Sequence, residues 1–146
     1  MQYDLEERTK KFSKDIIHFL VKMKLNEINR NIVSQLIRSA TSVGANYCEA
    51  NGASSKKDFR NKIFICRKEI QETKYWIELL AEASPDGKGE LKVLWKEAHE
   101  LTLIFNKISS SLKDWYILGD SMNWIILEFF ENWELEIENS SRMSRV

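Results

Sequence analysis

The feature that most constrains this chain is a helical repeat of apolar residues that recurs in four separate segments. Within each segment apolar side chains return every three or four residues, the spacing that gathers them on one face of an α-helix. One proline and five glycines are too few turn formers for a sandwich or barrel of many short strands. The sequence therefore predicts an all-α protein.

Short connectors separate the four predicted helices. The apolar stripes run from Leu5 to Met23, from Ile32 to Ala50, from Phe59 to Ala81 and from Leu91 to Leu112. Asn51-Gly52 predicts the end of the second helix, and Ser55 predicts the N-cap of the third. Residues 84–89 form the strongest break in the chain. Long amphipathic helices with short connectors predict an antiparallel up-down-up-down four-helix bundle with a C-terminal extension.

Charge divides the chain into two parts. Lys and Arg balance Asp and Glu over the whole sequence, 22 against 22. Residues 1–117 hold 20 basic and 16 acidic residues, whereas residues 118–146 hold 2 basic and 6 acidic ones. We assign 1–117 to the bundle and 118–146 to an acidic, aromatic-rich tail that is a short helix or disordered. Such a tail would dock on the basic body, contact a partner or stay mobile, and the sequence leaves these alternatives open.

The sequence carries no recognisable catalytic or cofactor motif. The two histidines do not complete a di-metal carboxylate pattern, because Asp15 to His18 supplies only one imperfect half of it. Cys48 and Cys66 are too few for a disulfide framework or a zinc site. A glycine-rich phosphate loop is also missing. We therefore predict a protein that is not an enzyme, with no metal, no cofactor and no small-molecule substrate.

The chain also lacks the sequence features of a membrane or secreted protein. Its first residues are charged and have no apolar core of the signal-peptide type. Its longest apolar cluster, 124–130, is far short of the about 20 residues that a membrane span needs. We predict a cytoplasmic location with reduced thiols and no contact with a membrane.

The third predicted helix places basic residues and aromatic rings together, away from its core stripe. At about 100° per residue, four cations align within about 40°, namely Lys56, Arg60, Arg67 and Lys74. The residues beside them are Lys57, Phe64, Lys68 and Tyr75. Cations neutralise phosphates and rings stack on unpaired bases, so this set predicts a nucleic-acid-binding face. The alternative is a solvated charged face whose rings are covered by a neighbouring subunit.

A further apolar edge on the same helix predicts self-association. The edge consists of Ile65, Trp76 and Leu80, next to Glu69 and Glu72. A helix of a monomeric bundle needs one apolar stripe only, and five tryptophans add to the apolar excess. Exposed aromatic surface of this kind indicates an oligomer interface or a contact with a protein partner.

The second predicted helix contains an ordered run of small and polar residues from Arg38 to Ala50. Its polar and small positions are Arg38, Ser39, Ser42, Gly44, Asn46 and Glu49. Hydroxyls and amides near a helix seam must form hydrogen bonds, because an unpaired buried polar group costs about 1–3 kcal/mol. Two interpretations stay open: a polar strip that fixes helix register, and a subunit interface or ligand-facing surface.

This run resembles the signature of bacterial four-helix-bundle proteins encoded in intervening sequences of 23S rRNA genes. The resemblance covers roughly residues 3–113 and includes Ser55 to Phe59, although Ala50 stands where many members have glycine. It implies a four-helix bundle that assembles as a homopentamer and has no established enzymatic activity. The family is also similar to the accessory protein of diversity-generating retroelements, a positively charged pentameric barrel that binds a reverse transcriptase and RNA.

These observations together predict a non-enzymatic accessory protein. It would be a homo-oligomeric bundle, a pentamer by resemblance, that contacts structured RNA through the basic face of its third helix and assists a reverse transcriptase. The alternative is a protein–protein interaction scaffold with no nucleic-acid role, since the apolar edge and the tail also suit a protein partner.

Overall fold

A computed structural model of the chain describes residues 4–118, which contain four α-helices and no strand. The helices are α1 (Leu5–Leu20), α2 (Asn29–Asn51), α3 (Lys56–Ala83) and α4 (Lys88–Leu118). A 3-10 helix over Pro85–Gly87 joins α3 to α4. The predicted all-α bundle of four helices is confirmed. The predicted tail lies outside the described residues, except that Leu118 still belongs to α4.

Local sequence explains where α1 and α3 begin. Asp4 caps α1, since its carboxylate accepts the backbone N–H of Glu7 at 3.1 Å. Ser55 caps α3 as predicted, and its hydroxyl accepts the backbone N–H of Asp58 at 3.1 Å. The Asp58 side chain accepts in turn the N–H of Ser54 at 3.3 Å. Each cap satisfies backbone donors that the first helical turn leaves without a partner.

Two asparagines build the connector between α1 and α2. The Asn26 side chain accepts the backbone N–H groups of Ile28 at 2.9 Å and Asn29 at 2.8 Å. The buried Asn29 side chain accepts the N–H of Asn26 at 2.8 Å and donates to the carbonyl of Lys24 at 3.1 Å. These turns end α1 at Leu20, before the predicted Met23, and start α2 three residues ahead of Ile32.

Cross-helix contacts fix how the four helices pack. The contacting pairs are Glu6–Asn51 and Ser13–Ala40, then Glu49–Lys62 and Arg38–Glu72, then Lys74–His99 and Glu78–Trp95. In each set residue numbers rise along one helix while they fall along the next, which is the order of antiparallel neighbours. Helix α1 also contacts α4, where Arg8 binds Glu97 and Glu100, and this contact closes the bundle.

One apolar core fills the space between the helices. Its largest fully buried side chains include Phe12, Ile16, Leu36, Ile63, Ile70, Ile77, Leu101 and Phe105. The Tyr47 ring meets the Phe105 ring edge-on, with centroids 5.9 Å apart. Helix α3 packs against both α2 and α4, so its buried stripe is wide and only one sector remains outside the bundle.

Candidate nucleic-acid interface

The part of α3 that lies outside its buried stripe, from the border with α4 round to the outer side of the helix, carries basic and aromatic residues. We call it the basic outer face and define it as Lys56, Lys57, Arg60, Phe64, Arg67, Lys68 and Tyr75. The lysines are exposed, Tyr75 keeps 54% of its surface exposed, and the other members are half-buried. The sector is accessible because Ile63, Cys66 and Ile70, three or four residues apart, turn the opposite side of α3 into the core.

Two ring contacts organise the basic outer face. The Arg60 guanidinium carbon lies 5.3 Å from the centroid of the Phe64 ring, one helical turn away. This contact holds a cation over the Phe64 ring, which is only half-buried and so keeps part of its surface accessible. The Tyr75 ring meets the Trp76 ring edge-on at 5.0 Å and 70°. The face therefore presents a cation over a ring at Arg60 and Phe64, and an aromatic pair at Tyr75 and Trp76.

The cations of this face differ from those of α1 in how they are compensated. On α1, Lys10 pairs with Glu7 at 2.7 Å and Lys11 pairs with Asp15 at 2.5 Å. On α3, no carboxylate among the side chains that the structure describes, those of residues 4–112, lies within ion-pair distance of Lys57, Arg67 or Lys68. These three cations therefore form no ion pair with the described side chains, although Lys68 is near enough to Glu72 to help lower the pKa of its carboxyl.

Lys74 aligns with the basic residues in sequence but has local partners in the structure. Its Nζ atom lies 3.3 Å from His99 Nδ1 and 5.0 Å from the centroid of the Trp95 ring. The Trp95 and His99 rings stack with centroids 5.2 Å apart and planes within 3°. Trp95 Nε1 also donates to Glu78 at 2.8 Å. Lys74 thus lies at the border with α4, and it is half-buried there.

The predicted apolar edge of α3 requires a correction. Leu80 is wrong as an exposed interface residue, because it is 0% exposed and belongs to the core. Trp76 is half-buried against the core, and its Nε1 donates to Glu72 at 3.1 Å. Ile65 alone keeps a substantial exposed fraction, 37%. The core stripe of α3 is wider than the periodicity suggested because the helix packs on two neighbours, and this wider stripe includes Leu80.

In the run on α2, Arg38 joins two helices. Its guanidinium binds Glu72 and lies 3.4 Å from the carboxylate of Glu69, both on α3. The hydrogen bond from Trp76 and then that from Arg38 lower the pKa of the Glu72 carboxyl. Sequence reasoning missed this network, although the i, i+3 spacing of the two glutamates was visible as a signal.

Three other polar positions of the run form hydrogen bonds, Ser39 across the buried seam with α3, and Ser42 and Asn46 within α2 itself. Ser39 is 0% exposed; its hydroxyl accepts from Thr73 Oγ1 at 3.1 Å and donates to the carbonyl of Leu36 at 3.2 Å. Ser42 donates to the carbonyl of Arg38 at 2.8 Å, and Asn46 donates to that of Ser42 at 2.8 Å. These bonds satisfy polar groups at and beside the seam with α3.

The remaining positions of the run also face neighbouring helices. Glu49 binds Lys62 on α3, and this hydrogen bond raises the pKa of the Lys62 ammonium. Gly44 faces α1, where an added Cβ would lie 3.4 Å from the Ser13 hydroxyl and 3.5 Å from the Thr9 carbonyl. The contacts that Arg38, Ser39, Gly44 and Glu49 form with neighbouring helices favour the interpretation as a strip that fixes helix register.

The two thiols differ in exposure and in reactivity. Cys48 is exposed, whereas Cys66 is buried and donates to the carbonyl of Val43 at 3.5 Å. Burial raises the pKa of the Cys66 thiol to about 12, so it stays protonated and unreactive. Within residues 4–118, no three His, Cys, Asp or Glu side chains come together as metal ligands. None of the helices in this range is long and apolar enough to span a bilayer.

The molecule is thus a four-helix bundle with hydrogen bonds and ion pairs between α2 and α3, and with a basic, aromatic face on α3. Residues 1–107 match the family model of the 23S rRNA-intervening sequence protein, and the chain belongs to this family, as its second helix predicted. A crystal structure of a protein of unknown function from the S23 ribosomal protein family of Bacteroides thetaiotaomicron is similar. It shares 30% identity, covers 73% of this chain and 98% of its own, and has a TM-score of 0.64. A search of curated proteins finds no match.

Proposed function

We propose that this protein is a non-enzymatic accessory factor that binds structured RNA through the basic outer face of α3. The observation that carries the proposal is a set of cations without an ion pair among the described side chains, Lys57, Arg67 and Lys68, on the same face as the rings of Phe64 and Tyr75. Membership of the 23S rRNA-intervening sequence family supports an RNA-related role. The chemistry required is phosphate neutralisation and base stacking, and both groups are present on one helix.

The dimensions of the basic outer face suit a nucleic-acid backbone. From Lys56 to Tyr75 the helix rises about 28 Å at about 1.5 Å per residue, which is enough to face several successive phosphates. Binding of this kind releases counterions, so the affinity falls steeply with salt. The rings add affinity where bases are unpaired, which favours structured RNA with loops over a regular duplex.

Assembly and partners form the second part of the proposal. The exposed side of Ile65 and the partly exposed Trp76 supply apolar surface for a contact between copies. The family resemblance suggests a homopentamer, in which the basic outer faces of several subunits act on one RNA. It also suggests a reverse transcriptase as protein partner. Neither subunit number nor enzyme partner is needed for the RNA-binding test.

The test is RNA binding by the purified protein across a salt series. The double variant Arg60→Glu/Arg67→Glu is expected to lower the affinity at least about 100-fold at low salt, while helicity and mass in solution stay unchanged. A matched control, Lys14→Glu/Lys24→Glu, reverses two exposed charges on other segments and should change the affinity less than about threefold. Equal losses in both variants would show only a general charge effect and would overturn the proposed face.

A scaffold that binds another protein is the second candidate. The observation that favours it is the exposure of Tyr75, at 54%, beside the ring of Trp76, which it contacts edge-on. This candidate predicts a stoichiometric protein complex that Tyr75→Ala weakens and that salt affects little. Failure of the wild-type protein to bind RNA at low salt would favour it over the RNA-binding role.

A further inference from the structure

We propose that the acidic tail, residues 119–146, binds the basic outer face of α3 in its own chain and competes there with RNA. The binding surface is inferred independently, whereas the competition rests on the function proposed above. Three properties support this occupant: the place where α4 ends, the charge of the tail, and its aromatic content.

The register of α3 and α4 places the start of the tail beside the face. Glu78 of α3 contacts Trp95 of α4. Lys74, four residues earlier in α3, lies beside His99, which is four residues later in α4. Continued at the same rise per residue, this antiparallel register sets Leu118 level with Ser55. The chain therefore leaves the bundle next to the end of α3 that carries Lys56 and Lys57.

The charge of the tail complements that of the face. Residues 119–141 contain six acidic residues and no basic one, since the two arginines of the tail come later. Five of the six are the glutamates of 128–138. On α3, the described chain provides no carboxylate in ion-pair distance of Lys57, Arg67 or Lys68. Opposite charges joined by a short covalent link have a high effective concentration, which favours binding within the chain.

The tail is long enough to reach along the basic outer face, and both carry aromatic residues. Glu128 is ten residues beyond Leu118, which corresponds to about 15 Å of helix or about 33 Å of extended chain. Arg67 lies about 17 Å along α3 from Lys56, within that reach. The tail brings Trp124, Phe129, Phe130 and Trp133, and the face offers Phe64 and Tyr75 for ring contacts.

Occupation of the face by the tail has a direct functional consequence. The tail carboxylates and RNA phosphates would bind the same cations, so each must displace the other. The full chain then binds RNA more weakly than its basic face alone allows. An RNA with unpaired bases competes better than a regular duplex because it also replaces the ring contacts.

Zero-length cross-linking of the full chain tests the contact itself. A carbodiimide joins a lysine amine to a carboxylate only when the two touch. We expect amide links from Lys57 and Lys68 to glutamates of 128–138, identified by peptide mass spectrometry. Equal amounts of unlabelled and nitrogen-15 protein, unfolded and refolded together, separate links within one chain from links between chains, because a link within one chain always joins peptides of the same isotope. Links of which about half are of mixed isotope, the share that random pairing of light and heavy chains gives, would overturn binding within the chain and assign the tail to a neighbouring copy, and the absence of such links would overturn the contact.

RNA binding by charge-neutralised full-length variants tests the competition. Glu131→Gln/Glu134→Gln/Glu138→Gln is expected to raise the affinity for RNA about tenfold at low salt, and less at high salt. The matched control, Glu27→Gln/Asp86→Asn/Glu90→Gln, removes three exposed acidic charges from the bundle and should change the affinity less than about twofold. Equal gains in both variants would overturn the competition.

The two experiments fail in different ways. Cross-links within the chain together with no RNA binding by any variant would leave the tail contact standing and overturn the proposed function. RNA binding without cross-links, and without a gain on neutralising the tail, would leave the proposed function standing and overturn the tail contact.

Discussion

The two sides of α3 use charged residues in different ways. On the side that faces α2, Glu69 and Glu72 bind Arg38 across the seam. On the basic outer face, Arg67 and Lys68 have no carboxylate in ion-pair distance among the side chains of residues 4–112. The comparison shows how similar residue types on one helix take different roles. Charges with a fixed partner position the helices, whereas charges without one are available to a ligand.

The largest expected effect is the difference in stability between a variant in the core of α3 and a variant at its exposed edge. Leu80→Ala removes a fully buried side chain and should lower the free energy of unfolding by about 2–5 kcal/mol. Ile65→Ala removes a side chain that is 37% exposed and should cost about 1 kcal/mol or less. Urea unfolding at one fixed protein concentration measures both. Losses of equal size would contradict the assignment of Leu80 to the core and return it to the exposed edge.

The buried thiol of Cys66 makes the free energy of unfolding depend on pH in the alkaline range. The folded pKa of Cys66 is raised to about 12 from an ordinary 9.0, so the unfolded thiol ionises first. The stability that this thiol contributes is complete below pH 9 and is lost as the pH rises towards 12, by about 1 kcal/mol per pH unit.

The thiol effect is measured as a difference between variants. Unfolding of the wild type and of Cys66→Ala from pH 8 to pH 11 should give free energies that converge, because only the wild type loses this contribution. Cys48→Ser is the control and should follow the wild type, since Cys48 is exposed. A thiol reagent should modify Cys48 in the folded protein and Cys66 only after unfolding. Rapid modification of both would show that the α2–α3 seam opens readily.

A smaller effect is expected from Arg38, the ion-pair residue of the seam. Arg38→Gln should lower the free energy of unfolding by about 0.5–1 kcal/mol at neutral pH, because the pairs are partly exposed. Since the pKa of Glu72 is lowered, its contribution is present above the ordinary carboxyl pKa and is lost as the pH falls through the lowered value. The difference between wild type and variant should therefore shrink between pH 5 and pH 2.

Arg38→Gln also tests whether the paired charges on the α2-facing side of α3 take part in RNA binding. Arg38→Gln should leave RNA affinity within about twofold of the wild type, because its charge is already bound by two glutamates. A large loss of RNA affinity would show that the motif on α2 takes part in binding. In that case the interpretation as a ligand-facing surface would replace that of a register strip.

The smallest effect concerns the contact between α2 and α1. Gly44→Ala places a Cβ at ordinary contact distances, 3.4 Å or more, from Ser13 and Thr9. Alanine is about 1 kcal/mol better than glycine inside a helix, so we expect a gain of a few tenths to about 1 kcal/mol in thermal unfolding. Gly44→Leu should reduce stability because its side chain has to displace α1. A loss with alanine would show that α1 and α2 approach more closely than these distances indicate.

Periodicity and end signals predicted most of the fold. The apolar spacing identified four helices, Ser55 marked the start of α3, and Pro85 marked the turn into α4. The boundaries near Met23 and Ile32 were missed because they depend on side-chain hydrogen bonds of Asn26 and Asn29. Such bonds depend on the three-dimensional path of the chain, which the hydrophobic pattern does not contain.

The candidate site could be predicted only in part, and for a physical reason. One helix and its angular positions sufficed to place Lys57, Phe64 and Lys68 on an outer sector. Lys74 has a partner on α4, and Leu80 is buried because the core is wide at that point. Both outcomes depend on how other helices pack against α3. The Arg38 network likewise needs the register of α2 against α3. Sequence thus predicts what one helix presents and not what its neighbours cover.

The packing order of the helices also determines how the chain reaches its fold. Because α1, α2, α3 and α4 pack mainly on their neighbours in sequence, most loops that must close during folding are short. Such low contact order is typical of helical proteins that fold in microseconds to milliseconds. The contact of α1 with α4 is the exception, since Arg8 and Glu97 are 89 residues apart. This smallest interface should form last and open first, and its opening would leave the α2–α3 pair, with the basic outer face, still assembled.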